Sequence, residues 1–245
     1  MWAVSAQEQW TTEGQWNAFV HRVPRGGVSY DAVLFDNDGV LVDLVEYDVL
    51  QRAAAETFRT LGVDPHPDHV DDMAVGVTPE RLQAVCAAYD LEPAEFFALR
   101  DSTSSKHQQQ EVHAGRKTLY DDFEAIHDLE HPLGIVSSNQ QETVDFLLDH
   151  FDIGHLFETA YGREPTPESL HRKKPNTHYL DRALADLDAE TALFVGDSET
   201  DLIAAHEAGL DSVFIRRPHR ADADFDTEPT YEIGGLHALS ELTTR

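Results

Sequence analysis

The chain has 245 residues, 41% of them hydrophobic and 26% charged, which is enough to bury a core and typical of a globular protein. Its 46 acidic residues face only 18 basic ones, a formal charge of −28 that disfavours nucleic acid and anionic membranes as partners. No apolar run approaches the ~18 residues of a membrane span, and the first residues lack the basic-then-apolar layout of a signal peptide.

A single cysteine, Cys86, excludes an internal disulfide, so a reducing cytoplasm is the expected setting. The acidity is spread along the chain and coexists with ordinary apolar periodicity, which argues against disorder. A surface this charged repels itself unless salt screens it. The expectation is adaptation to a concentrated-salt cytoplasm.

In chain order, residues 1–29 form an extension in which Thr12-x-x-Gln15 fits the cap of a short helix carrying Trp16, Phe19, Val20 and Val23. Ala32 to Phe35 is an unbroken apolar run, as expected of a strand buried on both faces in a parallel sheet. It stops at Asp36-Asn-Asp38-Gly39, which places two carboxylates and a turn-permitting glycine at the strand's carboxyl end. Ligands bind at that edge in open α/β sheets.

Helical patterns follow. Val49, Ala53, Phe58 and Leu61 suit a helix stopped by Gly62, Thr78-Pro79 reads as a helix start, and Pro93 opens another with Phe96, Phe97 and Leu99. Gln108 to Gln110 lie in a polar stretch ended by Gly115. No strand signal occurs between Leu44 and Arg116, so residues 44–116 read as a helical insertion, a cap, between 30–43 and 117–245 of one α/β domain.

Strand signals return at Leu133–Val136, near Phe157–Tyr161, at Ala192–Val195 and at Val213–Ile215, with Tyr231–Ile233 as a possible edge strand. Helices lie between them. This alternation predicts a doubly wound, Rossmann-like parallel sheet. Three of the runs end in polar groups: Asp36/Asp38, Ser137-Ser138-Asn139, and Asp197/Asp201. In a parallel sheet those ends converge on one edge, with Lys173-Lys174-Pro175 in a nearby loop.

The order Asp36-Asn-Asp-Gly-Val, Ser137, Lys174-Pro175 and Gly196-Asp-Ser-Glu-Thr-Asp201 closely resembles the haloacid dehalogenase-like hydrolases. Within them it is similar to the phosphoglycolate phosphatase and beta-phosphoglucomutase group, which carries a helical cap. The chemistry of the residues agrees. Asp36 can attack phosphorus and form an aspartyl-phosphate. Asp36 and Asp197, with the carbonyl of Asp38, offer hard oxygen ligands for magnesium. Lys174 supplies a positive charge to the phosphoryl oxygens and Ser137 a hydroxyl donor. Asp38 suits general acid–base work on an ester oxygen.

Asp201 admits three readings: a direct ligand, a helix-start acid, or a group hydrogen-bonded to the ligands, the last preferred. Gly39, Ser138 and Asn139 are expected phosphate contacts, with local turn bonding an equal alternative for the last two. Lys173 reads as a solvated surface lysine, Cys86 as packing, and His66-x-x-His69 as no metal site.

The expected activity is magnesium-dependent hydrolysis of a small phosphorylated metabolite by a monomer or homodimer. A sugar phosphomutase or a non-catalytic phosphometabolite-binding protein on the same scaffold are the rivals. The resemblance covers roughly Asp31 to Leu242 in motif order, but it breaks just after Asp43, where Leu44 and Val45 replace the serine and acid common in relatives. No particular substrate follows from it.

Overall fold

The computed structural model describes residues 29–243. The expected N-terminal helix lies outside them.

Six strands form one sheet: β1 (Ala32–Phe35), β2 (Leu133–Gln140), β3 (Thr159–Arg163), β4 (Ala192–Gly196), β5 (Asp211–Ile215) and β6 (Tyr231–Ile233). Their spatial order is β3-β2-β1-β4-β5-β6, and every pairing is parallel. The chain winds outward from β1 in both directions, so β1, with β2 and β4 at its sides, is the topological switch point where such sheets hold ligands.

The pleat explains the apolar run. Val33 and Phe35 enter one core with Ile135, Val195 and Val213, while Ala32 and Leu34 enter the opposite core with Val136, Phe194 and Leu180. Both faces are covered, so both sets of alternate side chains are apolar. The expected edge strand at Tyr231–Ile233 is present as β6.

Four helices intervene between β1 and β2: α1 (Tyr47–Thr60), α2 (Pro67–Ala74), α3 (Pro79–Ala88) and α4 (Pro93–His113). Three begin with proline in the first turn, where its missing N–H costs nothing. They share an apolar cluster of Phe58, Met73, Leu82, Phe96 and Phe97. Leu170, from the segment after β3, inserts into that cluster and joins the helices to the sheet. The two crossings are zipped together. Asp43 N donates to Thr118 O at 2.9 Å, the Asp43 carboxylate accepts from Thr118 Oγ1 at 2.8 Å, and Tyr120 N donates to Leu41 O at 3.1 Å.

The remaining helices are α5 (Gln141–His150), α6 (His178–Asp186), α7 (Glu199–Glu207) and α8 (Leu239–Thr243). Among the described residues no helix is long and apolar enough to cross a membrane.

Two local readings change. The polar stretch at Gln108–Gln110 is the continuation of α4, which runs unbroken for 21 residues. Its buried face is polar (Asp101, Ser104, Ser105 and Gln108), so no apolar stripe marks it. Lys173 is not a free surface lysine. It is half-buried, its Nζ donates to Val77 O at 2.7 Å, and burial with the nearby Arg163 and Arg100 pushes its pKa down to about 8.

Candidate active site

The site lies at the carboxyl edge of β1, β2 and β4. After β1 the chain folds back at once, with Gly39 N donating to Val42 O at 2.8 Å and Val42 N to Asn37 O at 3.1 Å. Gly39 has φ of +82°, and a Cβ there would fall 2.7 Å from Asp197 Oδ2. Glycine is required both by the backbone and by the close approach of the β4 loop.

Asp36, Asp197 and Asp201 each present a carboxylate oxygen within 4.8 Å of the others. Asp36 Oδ1 accepts from Asn37 N at 2.7 Å and faces Lys174 Nζ at 2.9 Å. Lys174 Nζ also lies 2.7 Å from Asp201 Oδ1, close enough for an ion pair though off hydrogen-bond alignment, and donates to Val136 O at 3.0 Å. Burial pushes the Asp36 pKa up, the neighbouring Asp201 and Asp197 charges push the same way, and Lys174 opposes them. Burial alone would lower Lys174, but Asp201 and Asp36 outweigh it and hold the ammonium charged.

Three crowded carboxylates with one lysine leave an excess of negative charge. That donor set, all hard oxygen, fits a divalent cation such as magnesium. Asp201 Oδ1 faces only the Lys174 ammonium, so it keeps a lone pair for such an ion.

Asp201 is also the helix-start acid. Its Oδ2 accepts from Ser198 N at 3.0 Å and Ser198 Oγ at 2.6 Å, closing a capping box at the start of α7. Asp197 is approached from the segment after β5, which sequence reasoning left without a role. His219 Nε2 lies 2.7 Å from Asp197 Oδ2, and Arg220 Nε 3.1 Å from the same oxygen.

Ser137 is buried at the edge, and its Oγ accepts from Asn139 N at 3.1 Å. Ser138 is half-buried, and its carbonyl accepts from Arg163 Nε at 3.4 Å. Asn139 instead reaches Asp38: its Nδ2 donates to Asp38 Oδ2 at 2.9 Å.

Asp38 has further partners that no motif indicated. Lys117 Nζ contacts Asp38 Oδ1 and donates to Gln108 Oε1 at 3.1 Å. Burial would raise the Asp38 pKa, but the Lys117 ammonium with the Asn139 and Asn37 amides outweighs it and holds the carboxyl below its usual range. One signal was available. The chain contains only four lysines (Lys106, Lys117, Lys173 and Lys174), so each is conspicuous.

His66 and His69 are engaged elsewhere. His66 Nδ1 caps α2 by accepting from Asp68 N at 3.3 Å, and His69 Nδ1 lies 2.8 Å from the Tyr89 hydroxyl. Among the described residues, the aspartate trio is the only group of three or more His, Cys, Asp or Glu placed to hold a metal ion. Cys86 is buried, and burial with nearby Glu92 pushes its thiol up to about 11, the environment of a packing residue rather than a nucleophile.

A parallel sheet with a helical insertion after its first strand, three carboxylates and a buried lysine at the switch-point edge defines a doubly wound α/β core with a candidate catalytic site at that edge. The comparisons with known proteins agree. Residues 33–215 match the family model described as haloacid dehalogenase-like hydrolase, and the chain belongs to that family.

A phosphoglycolate phosphatase of Pseudomonas fluorescens is 28% identical over 232 residues, spanning 90% of this chain and 80% of the relative. The pyrophosphatase PpaX of Anoxybacillus flavithermus is 30% identical over 196 residues, 74% of this chain and 81% of that protein. Among solved structures, CbbY of Rhodobacter sphaeroides in complex with phosphate aligns with a TM-score of 0.65 at 20% identity, covering 86% of this chain and 96% of that one.

Proposed function

We propose that this hydrolase is a magnesium-dependent phosphatase that releases phosphate from a small phosphomonoester metabolite through an aspartyl-phosphate on Asp36. The observation that carries the reading is the placement of Lys174, whose buried ammonium faces both Asp36 and Asp201 beside a third carboxylate, Asp197. Named relatives that act as phosphatases support it.

Asp36, Asp197 and Asp201, with the carbonyl of Asp38, are the groups that would hold the cation; bound magnesium neutralises charge on the phosphoryl group. The remaining work falls to side chains. Lys174 occupies Asp36 Oδ1, and among the described residues no hydrogen-bond donor engages Oδ2, the oxygen suited to attack. Lys174 and the Ser137 hydroxyl then stabilise the phosphoryl oxygens.

Asp38, held as a carboxylate in the resting site, takes up a proton as the substrate binds, passes it to the departing ester oxygen, and as the carboxylate again takes a proton from the water that cleaves the aspartyl-phosphate. Residues 44–116 act as the cap that shields the site from bulk water and selects the substrate. The acidic, single-cysteine chain is assigned to a saline cytoplasm, as a monomer or homodimer.

A panel of alkyl, sugar and carboxylated phosphates plus pyrophosphate, assayed with magnesium and again after chelation, tests this. Inorganic phosphate release that chelation abolishes and magnesium restores is the expected result. Full activity in excess chelator, or isomerised sugar phosphate without phosphate release, overturns it.

A further inference from the structure

Of the four lysines, Lys106 alone is exposed. Lys117 is the most withdrawn, with its side chain 0% exposed. An ammonium is costly to bury unless it is paired and hydrogen-bonded. Its ammonium meets Asp38 and Gln108.

Those partners close a network around Asp38. Asn139 Nδ2 donates to Asp38 Oδ2 at 2.9 Å and to Gln108 Oε1 at 3.0 Å, while Gln108 Nε2 returns a bond to Asn139 Oδ1 at 3.2 Å. Asn37 Nδ2 approaches the same Asp38 oxygen at 3.4 Å. Both carboxylate oxygens are therefore fixed, one by the ammonium and the other by amides.

The backbone beside Lys117 is held as well. Gly115, at φ +67°, ends the run from α4, and Thr118 N donates to Asp43 Oδ2 at 3.2 Å. The amine thus reaches Asp38 from an anchored hinge. Lys174 serves the Asp36 side of the site, and nothing in the chemistry above uses a second ammonium.

We propose that Lys117 is a positioning residue for Asp38: from the second crossing between helical insertion and sheet, its ammonium fixes the carboxylate in the orientation that proton transfer to and from the reacting oxygens requires. The inference rests on reading Asp38 as the proton-transfer group of the proposed phosphatase. Amides that hold Oδ2 alone leave the carboxylate free to turn about that contact; a charged bond to the opposite oxygen removes that freedom.

The test compares an alkyl phosphate with p-nitrophenyl phosphate, whose leaving group hardly needs a proton, in the wild type, Asp38→Asn, Lys117→Met and Lys117→Gln. Lys117→Met is expected to lower kcat for the alkyl phosphate by ~10²-fold, within the range of general acid–base help, and kcat for the aryl phosphate by less than ~10-fold, with KM nearly unchanged. Lys117→Gln supplies the same comparison if the methionine variant does not fold, and Lys117→Arg, which keeps the charge, is expected to recover part of the loss.

Equal slowing of both substrates in a folded neutral variant, or no slowing, overturns the proposal. If Asp38→Asn itself leaves the alkyl-to-aryl ratio unchanged while the wild type is active, the reading of Asp38 fails instead. A wild type inactive on both substrates points to the proposed phosphatase activity as the fault.

Discussion

Asp101 on α4 accepts two hydrogen bonds from Arg163 on β3, at 2.7 and 3.0 Å, with the two side chains only 1% and 5% exposed. Arg100 adds a third donor at 2.9 Å to the same carboxylate while its other nitrogens hold Met73 O and Ala74 O at the end of α2. One buried anion therefore ties the helical insertion to the sheet and is shared by two guanidinium groups. Asp101→Asn leaves those cations uncompensated, and breaking a buried pair in this way costs roughly 3–5 kcal/mol. At about 2–4 °C per kcal/mol for a chain of this size, the melting temperature should fall by on the order of 10 °C. A thermal melt in which Asp101→Asn matches the wild type within ~1 °C would remove the strut from the account of stability.

The sheet was legible in the sequence because burial on both faces makes β1 and β4 continuous apolar runs and gives β5 its apolar end, Val213 to Ile215. The polar ends of β1, β2 and β4 followed from parallel topology, which puts all carboxyl ends on one edge. What escaped notice shares a physical cause. Lys117, Arg163, Gln108 and Asp101 are polar groups satisfied by one another across distant parts of the chain, and such pairing leaves no periodicity. Arg163 and Asp101 are 62 positions apart, Lys117 and Asp38 79. The second half of α4 was missed for the same reason, since its buried face carries serines, a glutamine and an aspartate. The ligation of Asp197 by His219 and Arg220 depends on where a loop after β5 returns, which local pattern does not encode.

Cys86 gives a probe that needs no engineering. Burial, then the Glu92 charge, pushes the thiol to about 11, above its ordinary value, so the native group stays protonated and shielded through neutral pH. The thiolate is the reactive species. At pH 8 the folded protein should consume almost no thiol reagent, whereas denaturant should release one equivalent. Rapid stoichiometric labelling of the native protein would mean that the cluster containing Phe58, Met73 and Leu82 opens readily.

The charge of −28 makes a prediction about solvent. Self-repulsion between exposed carboxylates is screened within ~3 Å at 1 M salt and reaches ~30 Å at 0.01 M. The melting temperature should therefore climb with potassium chloride from dilute to molar concentrations. Buried pairs such as Asp101–Arg163 are little screened and should contribute none of that rise. Equal melting temperatures in dilute and molar salt would reject adaptation to a saline cytoplasm.

Asp197 and Asp201 occupy one acidic cluster but should separate under mutation. The Asp197 carboxylate is contacted by His219 and Arg220 side chains, at 2.7 and 3.1 Å, and caps no helix. Asp197→Asn should weaken divalent-cation binding with the smaller fall in melting temperature, because its partner Arg220 is 37% exposed and can turn to water, and the loss of one of three crowded carboxylates offsets part of the lost contacts. Asp201 differs, because one oxygen closes the α7 capping box through Ser198 and the other faces the Lys174 ammonium at 2.7 Å. In Asp201→Asn the amide oxygen can keep the cap only by turning its NH₂ toward that ammonium. If the oxygen faces Lys174 instead, Ser198 N meets a donor and the cap is lost. Either arrangement forfeits an interaction, and loss of a cap is worth about 0.5–2 kcal/mol. Asp201→Asn should therefore lose both stability and cation affinity. Titration calorimetry with magnesium and a melt of each apo variant read the two effects independently. An apo Asp201→Asn melting temperature within ~1 °C of the wild type would show that the contacts of Asp201 with Ser198 and Lys174 contribute little.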